Sequence, residues 1–191
     1  MTQYLDSSID KYLNDLSAKK ITPGGGSAAA LTAALGAALS LMVINYSIRK
    51  GIDTQKEDVL LTARTLQMKS LNAIKKFIDE DCRVFEALMK TLSEKREAQN
   101  DYVNAANVPL AICLECRDSI EIILGVLPIA NRNLISDIKC ATEMLLGAFC
   151  SAKLNVEINL ERIFDKKSVH EIKEKLNAAG TFIDEAVKTL K

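Results

Sequence analysis

The chain carries one histidine, His170, and that scarcity removes much common chemistry. A Ser-His-Asp system needs an imidazole beside its nucleophile, whereas His170 opens a charged C-terminal helical pattern and reads as a surface group. Metal-ligand patterns are equally thin. Cys113 and Cys116 form a C-x-x-C inside a helical run with Leu110, Ile112 and Leu114, and no second Cys or His pair stands at finger spacing, so no metal is expected. The five cysteines are an odd number, unlike a secreted disulfide framework, and Thr2 to Asp6 lack the basic start and apolar stretch of a signal peptide. A cytoplasmic protein with reduced thiols is expected. Net charge is also missing: 25 basic residues balance 25 acidic ones, and no basic block exceeds pairs such as Lys19-Lys20. The electrostatic footprint of a nucleic-acid binder is absent.

Proline and strand signals are scarce too. Prolines stand only at 23, 109 and 128, and glycines cluster at 24 to 26 with singles at 36, 51, 125, 147 and 180. Between these breaks the apolar residues recur at helical spacing, and no alternating run is bounded by turn chemistry. The pattern predicts helices near 2–17, 27–49, 54–92, 97–125 (with a possible bend at Pro109), 135–163 and 168–189. With 191 residues, 48% of them hydrophobic, the chain can bury roughly 70% of its unfolded surface in one core. The expected fold class is all-α: one domain over 1–191, an up-and-down bundle of about six long helices.

What is present in excess is an uncharged run, "TPGGGSAAALTAALGAALSLMVINYSI", from Thr22 to Ile48. Its length meets the formal criterion for a membrane span. Seven alanines between 28 and 38, with Thr32, Ser40 and Asn45 interspersed and no aromatic anchors at both ends, argue instead for the centre of a soluble bundle. Ala29, Ala33 and Ala37, with Gly36 beside them, form a small face for close packing, from which Leu31, Leu35, Leu39 and Met42 point outward. No membrane partner is expected. Pro23, Gly24, Gly25, Gly26 and Ser27 precede this helix; the glycines permit close approach and Ser27 suits a cap or first turn. A tight packing turn and a ligand loop at the positive helix end both remain open. Neither the P-loop nor the dinucleotide pattern is matched.

The third helix contains "AIKKFIDEDCRVFEALM". Ile74, Ile78, Phe85 and Leu88 define an apolar stripe, and the vacant place on it belongs to Asp81. A carboxylate there costs free energy unless paired or protonated, and desolvation raises its pKa toward the range useful for proton transfer. Asp79 neighbours Lys75, Lys76 and Arg83 at helical spacing and is expected on a solvated ion-pair face. In the fifth helix Ser136 is a candidate cap and Asp137 suits the helix dipole. Asn155 lies five turns further, with Asn159 one turn beyond, so Asp137 and Asn155 share a face yet stand roughly 27 Å apart. Either they serve different purposes or a second subunit closes the site.

Taken together, "TPGGGSAAALTAALGAALSLMV", "IDEDCRVFEALM", "NVPL", "NRNLISD" and "LNVEINL", in this order and spacing, resemble the formiminotetrahydrofolate cyclodeaminase and methenyltetrahydrofolate cyclohydrolase family over nearly the whole chain. The resemblance implies a homodimeric, cofactor-independent enzyme acting on a tetrahydrofolate that carries a one-carbon unit. It points to Pro23, Gly24, Gly25, Gly26 and Ser27 as part of the folate site, and to Asp81 or Asp79 as the catalytic acid or base, Asp81 being favoured by helical phase. Asn131, Asn133, Ser136 and Asp137 match a second polar segment, and Asn155 and Asn159 a third. Cys82 and Arg83 depart from the family's tendency toward small or acidic residues there. A catalytically inactive folate-binding or helical interaction module is the alternative.

Overall fold

The computed structural model of the protein describes residues 3–190, and among them the chain is all-helical. Six α-helices follow in order: α1 (Ile9–Ser17), α2 (Gly25–Ser47), α3 (Thr54–Ser93), α4 (Gln99–Val126), α5 (Ile135–Leu160) and α6 (Lys166–Leu190). Two single 3-10 turns, Leu127–Ile129 and Arg132–Leu134, join α4 to α5. Expected and observed boundaries agree closely for α2 to α6. The first helix is shorter than its periodicity suggests: Ser8 caps it by accepting the Lys11 N–H at 3.1 Å, so residues 4–7 form a turn rather than a helix. The expected start at Thr2 lies outside the described residues.

α2 occupies the centre and packs against α5, α3 and α4; α4 in turn carries α6. Ala29, Ala30, Ala33 and Ala37 are at most 2% exposed, which is why this helix is built from small residues. Gly36 lets α2 and α5 close up, because a β-carbon there would stand 2.9 Å from the Ala141 carbonyl oxygen and from Leu145 Cγ of α5. The buried amide of Gln67 on α3 ties three helices together, donating to the Ala37 carbonyl and to Ser119 Oγ, each at 3.3 Å. Leu35 points outward as expected, while Leu31, Leu39 and Met42 are half-buried against the core. By length and composition α2 is the one candidate membrane span among the described residues, yet twelve of its residues are buried inside the bundle.

Pro109 does not break α4. The ring removes the N–H that would bond the Ala105 carbonyl one turn back. Asn159 of α5 supplies the missing donor, its Nδ2 reaching Ala105 O at 3.1 Å, and the helix runs on to Val126. The last helix is amphipathic, with Ile172, Leu176, Ala179, Ile183 and Ala186 buried at 3–4 spacing. All five cysteines are free thiols; Cys82, Cys113 and Cys116 are buried. His170 is exposed beside Glu174.

Candidate functional site

Asp81 meets the first turn of α2. Ser27 N–H donates to its Oδ2 at 2.9 Å. Gly26 makes the approach possible: a β-carbon there would stand 2.5 Å from the Asp81 carboxyl carbon, inside any permitted contact. The neighbouring Gly25 faces Asn155, whose Nδ2 would lie 3.3 Å from an added β-carbon, whereas nothing lies within 4 Å of such an atom at Gly24. Five of the expected positions, Gly25, Gly26, Ser27, Asp81 and Asn155, therefore converge at one end of the α2/α5 pair. Pro23 is buried just before this turn.

Burial pushes the Asp81 carboxyl up to about 6, against the opposing pull of the Ser27 N–H. No charged partner enters that balance, so the carboxyl is tuned by desolvation and one backbone donor. Oδ1 accepts no hydrogen bond from the described residues, yet the sealed, unpartnered side-chain oxygen among them is Gln67 Oε1 rather than Asp81 Oδ1. A group with one anchored and one available oxygen, titrating near neutrality, suits proton transfer.

The helical phase that singles out Asp81 needs one correction. Phe85, expected on the core stripe, is 39% exposed, and Cys82, at 1%, takes the buried place. Asp81 is consequently half-buried at the edge of the stripe rather than centred on it. Burial also lifts the Cys82 thiol to about 11, which keeps it protonated beside Ser27.

Asp79 does not lie on a solvated ion-pair face. Its carboxylate accepts the N–H of Tyr4 at 2.6 Å and of Leu5 at 3.3 Å, clamping the N-terminal segment onto α3. Backbone N–H groups from that segment replace the lysines that sequence neighbours supply, and Arg83 pairs with Glu80 instead. Thr22 adds a second clamp by donating to Glu86 Oε1 at 2.6 Å. The segment thus forms a wall behind the glycine turn. From that wall Tyr12, 4% exposed, places its hydroxyl 3.1 Å from Ser27 Oγ. Tyr12 escapes sequence reasoning because its partner is fifteen positions away and nothing in a short amphipathic helix marks one buried tyrosine as polar-bonded.

The second polar segment lies elsewhere. Asn131 N–H donates to Ser47 Oγ at 2.9 Å, at the far end of α2, and Asn131 Oδ1 accepts the Asn133 N–H at 3.1 Å. Ser136 does not cap α5; Leu134 occupies the cap position and Ser136 is exposed in the first turn beside the half-buried Asp137. About 30 Å separates the two ends of a helix as long as α2. Asn159 sits one turn past Asn155 and is committed to the Ala105 and Asn155 carbonyls. A groove of about 640 Å³ between α3 and α4, lined by Val59, Leu66, Glu115 and Ile122 among others, takes no residue from the expected set. The groove has titratable groups of its own, among them Glu115, whose carboxyl is pushed up by burial, and it lies apart from Asp81.

Comparison with known proteins gives consistent matches. The family model described as Formiminotransferase-cyclodeaminase matches residues 8–178. A methenyltetrahydrofolate cyclohydrolase of Methylorubrum extorquens is 31% identical, with 97% of each chain covered. The formimidoyltransferase-cyclodeaminase of Rattus norvegicus is 30% identical over 93% of this chain, which spans 36% of the rat protein. Among solved structures, a formiminotetrahydrofolate cyclodeaminase from Thermotoga maritima superimposes with a TM-score of 0.93 at 25% identity, covering 99% of this chain and 96% of that one.

Proposed function

The chain belongs to the formiminotransferase-cyclodeaminase family, and from that premise we propose that it acts on a one-carbon-substituted tetrahydrofolate, as a formiminotetrahydrofolate cyclodeaminase, a methenyltetrahydrofolate cyclohydrolase, or both, with Asp81 as the proton carrier. The observation that carries this reading is a carboxyl raised to about 6 at a glycine-opened helix start.

The two reactions pose one chemical problem. In the deaminase direction the folate's exocyclic nitrogen attacks the formimino carbon, and ammonia leaves as the bridged cation forms. In the hydrolase direction water attacks the cationic bridged carbon, and one carbon–nitrogen bond breaks to leave a formyl group and a free folate nitrogen. Both pass through a tetrahedral carbon bearing two folate nitrogens. Asp81 takes the proton from the attacking nitrogen or water and returns it to the departing one, a role worth about 10²- to 10⁴-fold. Ionised, it also stabilises the cationic carbon. Gly24, Gly25, Gly26 and Asn155 border the space where the pterin or the tail carboxylate would lie, with the positive end of α2 favouring the latter. Neither reaction needs a cofactor beyond the folate, and the cytosol keeps the five thiols reduced.

The same reading takes the active form to be a homodimer. α2 and α5 run antiparallel, pairing Gly25 with Asn155, Gly36 with Leu145 and Ser47 with Asn131. Their outer faces carry exposed Leu35, Tyr46, Met144, Leu154 and Ile158, at 38% to 64% exposure with Tyr46 at 65%. Exposed apolar stripes of this kind mark association surfaces. A two-fold axis across the middle of this face would lay one subunit's Asn131–Asp137 end over its partner's Asp81 end, an isologous contact.

Side-by-side assays decide the substrate: ammonia release from formiminotetrahydrofolate, and absorbance loss of methenyltetrahydrofolate. Asp81→Asn is expected to cost 10²- to 10⁴-fold in whichever turnover the wild type performs. Near-normal turnover by this variant removes Asp81 from the mechanism.

A further inference from the structure

We propose that Tyr12 is a positioning residue for the Asp81 carboxyl, acting through Ser27. The inference rests on the reading of Asp81 given above and adds a residue from outside the α2/α3/α5 junction. Tyr12 OH stands 3.1 Å from Ser27 Oγ, and Ser27 N–H is the one hydrogen-bond donor that Asp81 receives from the described residues, at 2.9 Å. Ser27 is 0% exposed, so its hydroxyl faces the interior and cannot reach a ligand from this position. Its oxygen partner is the tyrosine, with the Cys82 thiol beside it, and what the Tyr12 bond fixes is the orientation of the residue whose N–H holds Oδ2.

Tyr12 is itself held. Its ring meets Tyr4 edge to face at 5.3 Å between centroids, and Tyr4 is pinned through its N–H to Asp79 and through its hydroxyl to Asp15 at 3.1 Å. Lys11 and Lys20 both pair with Asp15, completing the anchor. A chain of fixed contacts thus runs from α3, through the N-terminal segment, to the first turn of α2 and back to α3. The titratable groups coupled to Asp81 along it are the Tyr12 phenol and the Cys82 thiol, both kept neutral by burial. Asp79 faces the peptide groups of Tyr4 and Leu5.

Tyr12→Phe keeps the ring packing and deletes the bond to Ser27. Loosening Ser27 weakens the donor that pulls the Asp81 carboxyl down, so burial acts less opposed and the proton is held to higher pH. The acidic limb of the kcat profile, expected near pH 6, moves upward by about half a pH unit or more. Turnover at pH 6.5 falls about 1.5- to 4-fold, as a shift of half to one pH unit requires, recovers above pH 8, and KM is unchanged. Ser27→Ala reads the same link from the other side and gives the same displacement, and the double variant adds nothing further. Tyr4→Phe keeps the ring against Tyr12 and deletes only the hydroxyl with its bond to Asp15; it loses thermal stability and leaves the limb in place. The idea is overturned if Tyr12→Phe or Ser27→Ala keeps the wild-type limb, or if Tyr4→Phe displaces it equally. The pH dependence of unfolding reports the Asp81 carboxyl without turnover. If Asp81→Asn stays active, the catalytic reading fails alone; if Tyr12→Phe leaves the pH-dependent unfolding step unmoved, the positioning role fails alone.

Discussion

The two ends of the α2/α5 pair are built from similar polar residues and use them in opposite ways. At the Ser47 end the polar atoms satisfy one another: Ser47 accepts from Asn131, Asn131 accepts from Asn133, and the result is a tight connection between two 3-10 turns. At the Gly25 end a carboxyl is pressed against backbone with one donor for its two oxygens, and its proton is held to about 6. The difference teaches where a fold tolerates cost. Mutually satisfied polar groups are what a joint needs, and an under-satisfied, desolvated acid is what the proposed proton carrier needs.

The sharpest way to break that contrast is Gly26→Ala. A β-carbon cannot coexist with Asp81 in its present position, so the carboxyl must swing away from the turn. Alanine is the better helix former, so the first turn of α2 survives. Turnover is expected to fall about 100-fold or more, as for loss of the acid itself, while circular dichroism shows an intact bundle. Activity within threefold of wild type would mean that the placement of Asp81 is not limiting.

Next in size is a mixing experiment, which asks whether the far end serves the partner. Asp137→Asn and Asp81→Asn subunits, each expected to be inactive alone if the proposed dimer shares its site, are unfolded together and refolded at equal ratio. In the proposed dimer half of the pairs then combine one of each, and each such pair has one site with both aspartates intact. Recovery of about a quarter of wild-type activity is expected. If Asp137→Asn alone is fully active, the Ser47 end is a structural joint and nothing more.

Asn159 tests the boundary between the two kinds of role. The family resemblance points it toward the folate site, yet its amide serves the carbonyl that Pro109 strands. Asn159→Ala is expected to cost about 1 to 3 kcal/mol in denaturant unfolding, the penalty of an unpaired buried acceptor. In a Pro109→Ala background the restored N–H can serve Ala105, and the same substitution should cost less than half as much. Equal costs in both backgrounds would place the role of Asn159 elsewhere.

The Asp81 carboxyl also leaves a signature on stability. Its folded value, about 6, exceeds the ordinary value of 3.8, so the folded state binds the proton more tightly than the unfolded one. Stability therefore falls as pH rises from about 4 to about 6 and stays at the lower level above that. Discounted for its partial exposure, the loss is about 1 to 2 kcal/mol. Asp81→Asn should abolish this step and raise Tm by a few degrees at pH 7 while removing turnover. A flat wild-type profile between pH 4 and 7 would show that the acid is not desolvated.

How far these features were legible in the sequence depends on the range over which each is decided. The helices and Asp81 follow from a 3.6-residue period, which is local, and their boundaries mostly match. The start of α1 is not legible locally, because apolar periodicity runs through Tyr4 and Leu5 while Ser8 makes the cap. Asp79 looked solvent-facing because lysines flank it in sequence, whereas its partners come 75 and 74 residues earlier. Pro109 looked like a bend because the donor that repairs it lies on another helix. The three glycines were indistinguishable in composition, and only the carboxyl lying against one of them tells them apart.

That last distinction yields the smallest prediction. Gly24, Gly25 and Gly26 form a graded series set by what an added methyl would meet: nothing, an amide that must yield a few tenths of an ångström, and the Asp81 carboxyl. Gly24 has φ −133 and ψ −160, extended backbone that any residue adopts, so Gly24→Ala should leave folding and kcat unchanged. Gly25→Ala asks Asn155 to move, and since that amide also donates to Ser151 O at 2.8 Å, the shift is resisted. A severalfold rise in KM with little change in kcat is expected if Asn155 orients the folate rather than reacting with it, since uniform binding is then what is lost. Should Gly24→Ala prove as damaging as Gly25→Ala, the glycines act through chain flexibility before the helix, and the contact of each with its particular neighbour is not what the turn requires.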